Sequence, residues 1–372
     1  MSVASNKPSA SIFTPVKRSS IPARILGLDG LRAFAVALVV LSHAGLMEGD
    51  FWQRTGMVRL LNAQVGVQIF FVLSGMLITH LLLEEHSRGG RVNFSAFYLR
   101  RLLRIFPVYY ASIAVSFALA AATVYPIRTE AFAVAVAYVV NFAPWDDMEA
   151  SFSHFWSLAV EEHFYFLWPL AIAVSRARVR ATATIAAAAI LFMCWWQLYP
   201  PGWLVALSSS HAINRWTIPA ALPILGGCLT AVLLRQRCPG RTATVVCGIS
   251  GVLIFLLPSL PSAWALVPEP LGMLVSSLGI AAVIAFLVWT QDSLAVKLLE
   301  ARPLVYLGTI SYGIYVWQGI LTGNGSYRQV PGWPPDPVAG AVAAVLVAAF
   351  SYHFFEKPVL AWKNRLAGRE GG

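Results

Sequence analysis

The chain has 372 residues, of which 58% are hydrophobic and only 12% charged, with a formal net charge of +10. A soluble domain carries roughly 25% charged residues, so this composition excludes an ordinary soluble globular protein. The basic residues stand in short clusters between apolar runs instead of forming one basic domain, which argues against nucleic acid as a partner and for the lipid bilayer.

Residues 1–24 are Ser/Pro-rich and basic, with no apolar h-region and no A-x-A cleavage site. They predict a disordered cytoplasmic leader, followed by one membrane domain over 25–360 and a cytoplasmic tail over 361–372. Apolar segments then recur at about 29–49, 66–83, 105–124, 131–143, 157–175, 181–198, 217–234, 242–260, 270–290, 303–323 and 337–356. A helix of ~20 residues crosses a ~30 Å hydrocarbon core, whereas barrel strands would be ~10 residues with strict alternation. The expected fold class is therefore an all-α polytopic membrane protein.

Charge corrects the number of crossings, because short basic loops stay cytoplasmic. If every segment crossed, the loop "PWDDMEASFSH", with three acids and no Lys or Arg, would be cytoplasmic and the basic loop 176–180 would lie outside. Reading the short segment 131–143 as re-entrant or interfacial removes both faults. A bundle of about ten transmembrane helices results, multi-pass in the cell's inner membrane with both termini cytoplasmic.

Ionisable groups inside such helices cost roughly 2.5–3.5 kcal/mol on insertion scales and are functional candidates by default. The first segment reads "GLDGLRAFAVALVVLSHAG", with Arg32 and His43 eleven residues apart. At 100° per residue that is about 20° from three whole turns, so both share one face, ~16 Å apart along the axis. Arg32 falls near the cytoplasmic mouth, with Asp29 just before it, and His43 beyond the midplane. Taken singly, the arginine also reads as snorkelling and the histidine as a packing residue.

Next, "GVQIFFVLSGMLITH" carries Gly66, Ser74 and Gly75, which favour close helix packing, and the amide of Gln68 near the outer face. In "FYLRRLLRIFPVYY", Arg100, Arg101 and Arg104 form one basic helical face, suited either to a phosphorylated donor or to plain anchoring. The stretch "FSHFWSLAVEEHFYFLWPL" brings Glu161, Glu162 and His163 into the membrane, with Ser157, Glu161 and Tyr165 on one face. Glu161 and His43 lie at similar depth, so a carboxylate that holds the imidazole's tautomer is expected. Finally, "GTISYGIYVWQG" presents Ser311, Tyr312, Tyr315 and Gln318 as a polar seam, and "SYHFFEKP" ends the last segment. Cys194, Cys228, Cys238 and Cys247 show no metal or disulfide spacing, and neither a Walker A nor an H-E-x-x-H motif occurs, so no metal site is expected.

In this order, "LDGLRA" with its Arg-x10-His spacing, "FFVLSGMLI", "RRLLRIFP", "WSLAVEEHFYFLWP", "SYGIYVW" and "EKP" resemble the acyltransferase 3 family of integral membrane acyltransferases. The resemblance covers roughly residues 25–360. It implies a ten-helix bundle that moves an acyl group, usually acetyl from cytoplasmic acetyl-CoA as co-substrate, to a hydroxyl, commonly on a cell-surface carbohydrate. Arg32 and His43 match the family's Arg/Lys-x10-His pair and Arg101 and Arg104 its Arg-x-x-Arg pair. Glu161, Glu162 and Tyr165 match its Glu-Glu-x-x-Tyr segment.

On this basis His43, Glu161 and Glu162 are expected at the chemistry and Arg32, Arg101 and Arg104 on the acyl-CoA donor. Asp29, Ser157, Tyr165, Gln68, Tyr312 and Gln318 are expected as acceptor or supporting residues. Many relatives have an acid where this chain has Gln68 and a histidine where it has Gln318; an amide hydrogen-bonds but shuttles no proton. No hydrolase-like extracytoplasmic domain of the kind fused to some relatives is expected. Two alternatives remain open at this level: a small glycosylated metabolite, such as a macrolide sugar, as acceptor, and a proton-coupled transporter or flippase using His43 and Glu161/Glu162 as a relay.

Overall fold

A computed structural model describes residues 24–359, apart from residue 48 and the segments 123–126, 145–149, 209–211, 236–238, 258–268 and 323–335. The expected leader (except Arg24), the expected tail, the acids of 145–149 and Cys238 lie outside the described residues. Every element among those residues is helical, as expected. The longer helices are α1 (Leu28–His43), α2 (Ala63–Gly89), α3 (Phe94–Ala121), α4 (Thr129–Val136), α5 (Phe155–Val174), α6 (Val179–Leu198), α7 (Leu222–Leu234), α8 (Arg241–Leu256), α9 (Glu269–Trp289), α10 (Arg302–Thr309), α11 (Ser311–Leu321) and α12 (Pro337–Ser351).

Side-chain caps set several helix starts. Asn62 accepts from the Val65 amide at 3.0 Å, Asn93 from Ala96 at 3.0 Å, and Asp336 from Val338 at 2.8 Å, each satisfying an orphan donor of a first turn. α2 stops at Gly90, whose φ of 70° is left-handed and costs a glycine little.

Among the described residues, six helices are long and apolar enough to cross a membrane: α2, α3, α6, Thr217–Leu234 (which contains α7), Leu271–Trp289 of α9, and Pro337–Val359 with α12. α10 and α11 make a seventh only if taken as one span broken by a 68° bend. The protein is thus a multi-pass membrane protein, but the expected number of about ten crossings is not established. Three of the expected segments fall short for identifiable reasons: α1 and α8 have 16 regular residues each, and the 20-residue α5 carries Glu161, Glu162 and His163. Segment 131–143 forms only the eight-residue α4 and a 3-10 turn at Val140–Phe142. As a helix, α4 is ~12 Å long, too short to cross.

Backbones approach closely where glycines face one another. A Cβ on Gly75 of α2 would stand 1.9 Å from the Ile224 carbonyl oxygen, and one on Gly227 of α7 2.1 Å from that of Val72. These two glycines let α2 and α7 pack as the most intimate pair of the bundle. Likewise Gly308 of α10 admits the Asp29 carbonyl at 1.8 Å from where its Cβ would be, which fixes α10 against the start of α1. The start of α1 is tied further by the Gly27 amide donating to Glu300 at 2.6 Å.

Candidate functional site

Helices α1, α2, α3, α5 and α11 enclose a cavity of about 260 Å³. Its walls bring together eight of the twelve residues expected at the site: Arg32, Arg101, Arg104, Ser157, Glu161, Glu162, Tyr165 and Tyr312. A second cavity of about 730 Å³ shares Leu81, Arg101 and Arg104 with the first and adds Glu84, Glu85, Arg88, Arg91 and Arg100. The two form a charged vestibule opening onto a mixed polar and aromatic chamber.

At the vestibule end, the acids are already engaged. Glu84 pairs with Arg88 at 3.0 Å and with Arg235 at 3.2 Å, and Glu85 with Arg100 at 3.7 Å. Arg101 and Arg104 make no ion pair among the described residues. Arg101 instead lies over the Tyr165 ring at 4.6 Å, and Arg104 is open to both cavities. The two guanidiniums stand one helical turn apart, with Glu161 and Glu356 acting electrostatically on Arg104 and Glu162 on Arg101; a planar guanidinium fork suits a bidentate anion such as a phosphate. Arg32 joins them from α1, oriented by Asp29 at 2.8 Å, which explains the Asp29 that precedes it in the sequence.

Inside the chamber, Glu161 accepts a hydrogen bond from Tyr165 of its own helix and another from Ser74 of α2. The Tyr165 hydroxyl also reaches Ser74 at 3.1 Å. Glu162 lines the chamber without a hydrogen bond among the described residues. Ser157 pairs with the Tyr315 hydroxyl at 2.5 Å, and Tyr312 donates to the Ile105 carbonyl at 2.8 Å. Ser74 and Tyr315 thereby join the site from positions where close packing and a polar seam were expected. The Gly75 beside Ser74 does pack, so that motif serves both ends.

His43 stands outside the cavity walls, at the last residue of α1 and half-buried. Its Nδ1 meets the Val39 carbonyl at 2.8 Å. A carbonyl only accepts, so Nδ1 carries the proton and Nε2 of the neutral ring carries the lone pair. The carboxylate expected to hold this tautomer is not what holds it: Glu161 is committed to Ser74 and Tyr165, and a backbone carbonyl does the orienting. His43 has a charged and a titratable neighbour. It interacts electrostatically with Arg215, which sits over the Trp156 ring at 5.6 Å, and with His154, next to Ser157 and Tyr315. Arg215 and His154 escaped the sequence reading, one in a loop turn and the other at a helix cap.

Gln68 and Gln318 are buried outside the cavity walls. Among the described residues Gln68 Oε1 and Gln318 Nε2 have no hydrogen-bond partner, while Gln318 Oε1 accepts from Thr322 at 3.2 Å. Neither amide is placed for contact with a ligand in the chamber.

The described residues thus form a helical membrane bundle with a basic mouth, an internal carboxylate–hydroxyl cluster and an oriented imidazole at the end of α1. The chain belongs to the acyltransferase 3 family: the family's acyltransferase domain matches residues 25–353. It is 30% identical to the protein YrhL of Bacillus subtilis (strain 168) over 90% of this chain and 55% of that protein. It is 28% identical to the peptidoglycan O-acetyltransferase OatA of Listeria monocytogenes over 89% of this chain and 55% of the relative. The O-acetyltransferase OatA of Staphylococcus aureus (strain NCTC 8325) is 27% identical over 93% of this chain and 59% of its own length. The chain thus spans little more than half the length of these curated relatives. No solved structure matches it.

Proposed function

We propose that the protein is a membrane O-acyltransferase that takes acetyl from acetyl-CoA at the cytoplasmic face and places it on a hydroxyl of a cell-surface carbohydrate. The observation that carries this reading is the pair Arg101 and Arg104, two guanidiniums without an ion pair among the described residues, at the mouth of the chamber lined by Glu161 and Glu162. Phosphates of the donor dock on Arg101, Arg104 and Arg32, and the pantetheine arm extends into the chamber. Relatives named as O-acetyltransferases, one of them as acting on peptidoglycan, support the acetyl group and the carbohydrate class.

In the transfer step the acceptor hydroxyl gives its proton to His43 Nε2 while its oxygen bonds to the thioester carbonyl carbon. The C–S bond then breaks and the thiolate takes the proton back from His43, so an ester and a free thiol result and the enzyme is unchanged. Glu161, held by Ser74 and Tyr165, shapes the chamber's charge; Glu162 and Ser157 face the passing acyl group. In this reading α1, α5 and α8 complete a ten-crossing bundle in the inner membrane with both termini cytoplasmic.

The test uses purified protein in detergent with labelled acetyl-CoA and a cell-wall glycan fragment. Acceptor-dependent release of CoA with label transferred to the glycan supports the enzyme. Glycan or proton flux in liposomes without CoA release contradicts it.

A further inference from the structure

The guanidinium of Arg101 lies over two aromatic rings. Its central carbon stands 4.6 Å from the ring centre of Tyr165 on α5 and 5.9 Å from that of Phe97, one turn earlier on α3. Contacts of this kind engage the face of the cation and leave its N–H edge for other partners. Arg101 lines both the vestibule and the chamber, so that edge is within reach of a ligand in either. The Tyr165 ring is itself buried and anchored at its far end. Its hydroxyl donates to Glu161 Oε1, and the Ser74 hydroxyl of α2 donates to the same oxygen. Each hydroxyl has one proton, so the 3.1 Å approach of Tyr165 to Ser74 is a contact between two groups aimed at one carboxylate. A phenol that donates to a carboxylate carries more negative charge on its ring face, which strengthens its attraction for a cation. Ser74, Glu161, Tyr165 and Arg101 therefore form one connected line across α2, α5 and α3.

We propose that Glu161 and Tyr165 are positioning residues for Arg101: the carboxylate fixes and polarises the Tyr165 ring, and the ring holds the guanidinium with its N–H edge free for a phosphate of the donor. This rests on the O-acyl transfer reading above. It gives Glu161 a task in donor binding, although the sequence pointed to the chemistry, and it explains why a tyrosine stands one turn after that carboxylate. The ring holds the cation in place of a direct ion pair, which would occupy the very N–H groups that a phosphate needs.

Equilibrium binding of labelled acetyl-CoA to the purified full chain, read beside steady-state transfer, separates this role from simple packing. Tyr165→Phe keeps the ring and loses its anchor, while Glu161→Gln keeps an acceptor oxygen and loses the charge. Both are expected to weaken acetyl-CoA binding about 5- to 10-fold, with the loss falling on Kd and KM and not on kcat. In an Arg101→Ala background the further loss from Tyr165→Phe is expected to shrink below about twofold, because the ring then has no cation to hold. Unchanged binding with a fall in kcat in either single variant, or a full 5- to 10-fold loss in the Arg101→Ala background, overturns the proposal. If Tyr165→Phe does not fold, Ser74→Ala, which removes the other donor to Glu161, takes its place with the same two expectations. A wild-type protein that binds acetyl-CoA but transfers nothing would instead remove the transferase reading, and the binding comparison would still decide the role of Tyr165.

Discussion

Tyr165 and Glu161 sit one turn apart on α5 and share a hydrogen bond, and Ser74 reaches the same carboxylate oxygen from α2. The three act as one unit, because the carboxylate's charge is spread over two donors that also touch each other at 3.1 Å. Tyr165→Phe and Ser74→Ala are each expected to lower acetyl transfer about 10-fold, with the double variant well short of the product of the two, as groups in one network couple. A double-mutant cycle on kcat/KM checks this; strictly multiplicative losses would show that the contact is incidental.

The pair Arg101 and Arg104 should act on donor binding and not on chemistry. Charge-assisted hydrogen bonds are worth about 1.5–3 kcal/mol each, so Arg104→Ala should raise KM for acetyl-CoA about 10- to 100-fold with kcat little changed. Arg104→Lys should recover only part of the loss, since an ammonium lacks the planar fork. Steady-state kinetics with varied acetyl-CoA provide the measurement. A fall in kcat at unchanged KM would move these arginines from donor docking to the transfer step.

Packing at the α2–α7 contact leaves no room for a side chain. Gly75→Val would drive a branched group into the Ile224 carbonyl and is expected to cost more than the ~1–3 kcal/mol usual for overpacking, with little folded protein recovered from the membrane. Gly89→Ala, with nothing near its Cβ position, should leave the thermal melting curve unchanged. Size-exclusion profiles and melts of the two detergent-solubilised variants make the comparison.

These sites also show what the sequence made legible. The arginine pair and the Glu161–Tyr165 pair follow from helical spacing alone, because i, i+3 and i, i+4 neighbours must share a face. Eight of the expected site residues meet in one cavity, but it is tertiary packing that brings α1, α3, α5 and α11 together there. Ser74 was legible only as a small packing residue, since its link to Glu161 crosses between helices far apart in the chain. His154 and Arg215 sit at a cap and in a loop turn, where no periodicity marks an inward-facing side chain. The number of crossings was harder still. Hydropathy measures how apolar a stretch is, but whether it stays one regular helix depends on tertiary contacts, as at the α10–α11 break beside Gly308 and Asp29.

The central claim is that His43, its Nδ1 fixed on the Val39 carbonyl, supplies the base for acyl transfer through Nε2. His43→Ala removes that nitrogen without disturbing the backbone of α1. Purified wild-type and variant protein, matched for melting temperature and acetyl-CoA binding, should be compared for acceptor-dependent release of CoA from labelled acetyl-CoA. The account predicts a loss of at least about 100-fold in the variant with donor binding retained. Transfer at the wild-type rate by a folded His43→Ala protein would contradict it.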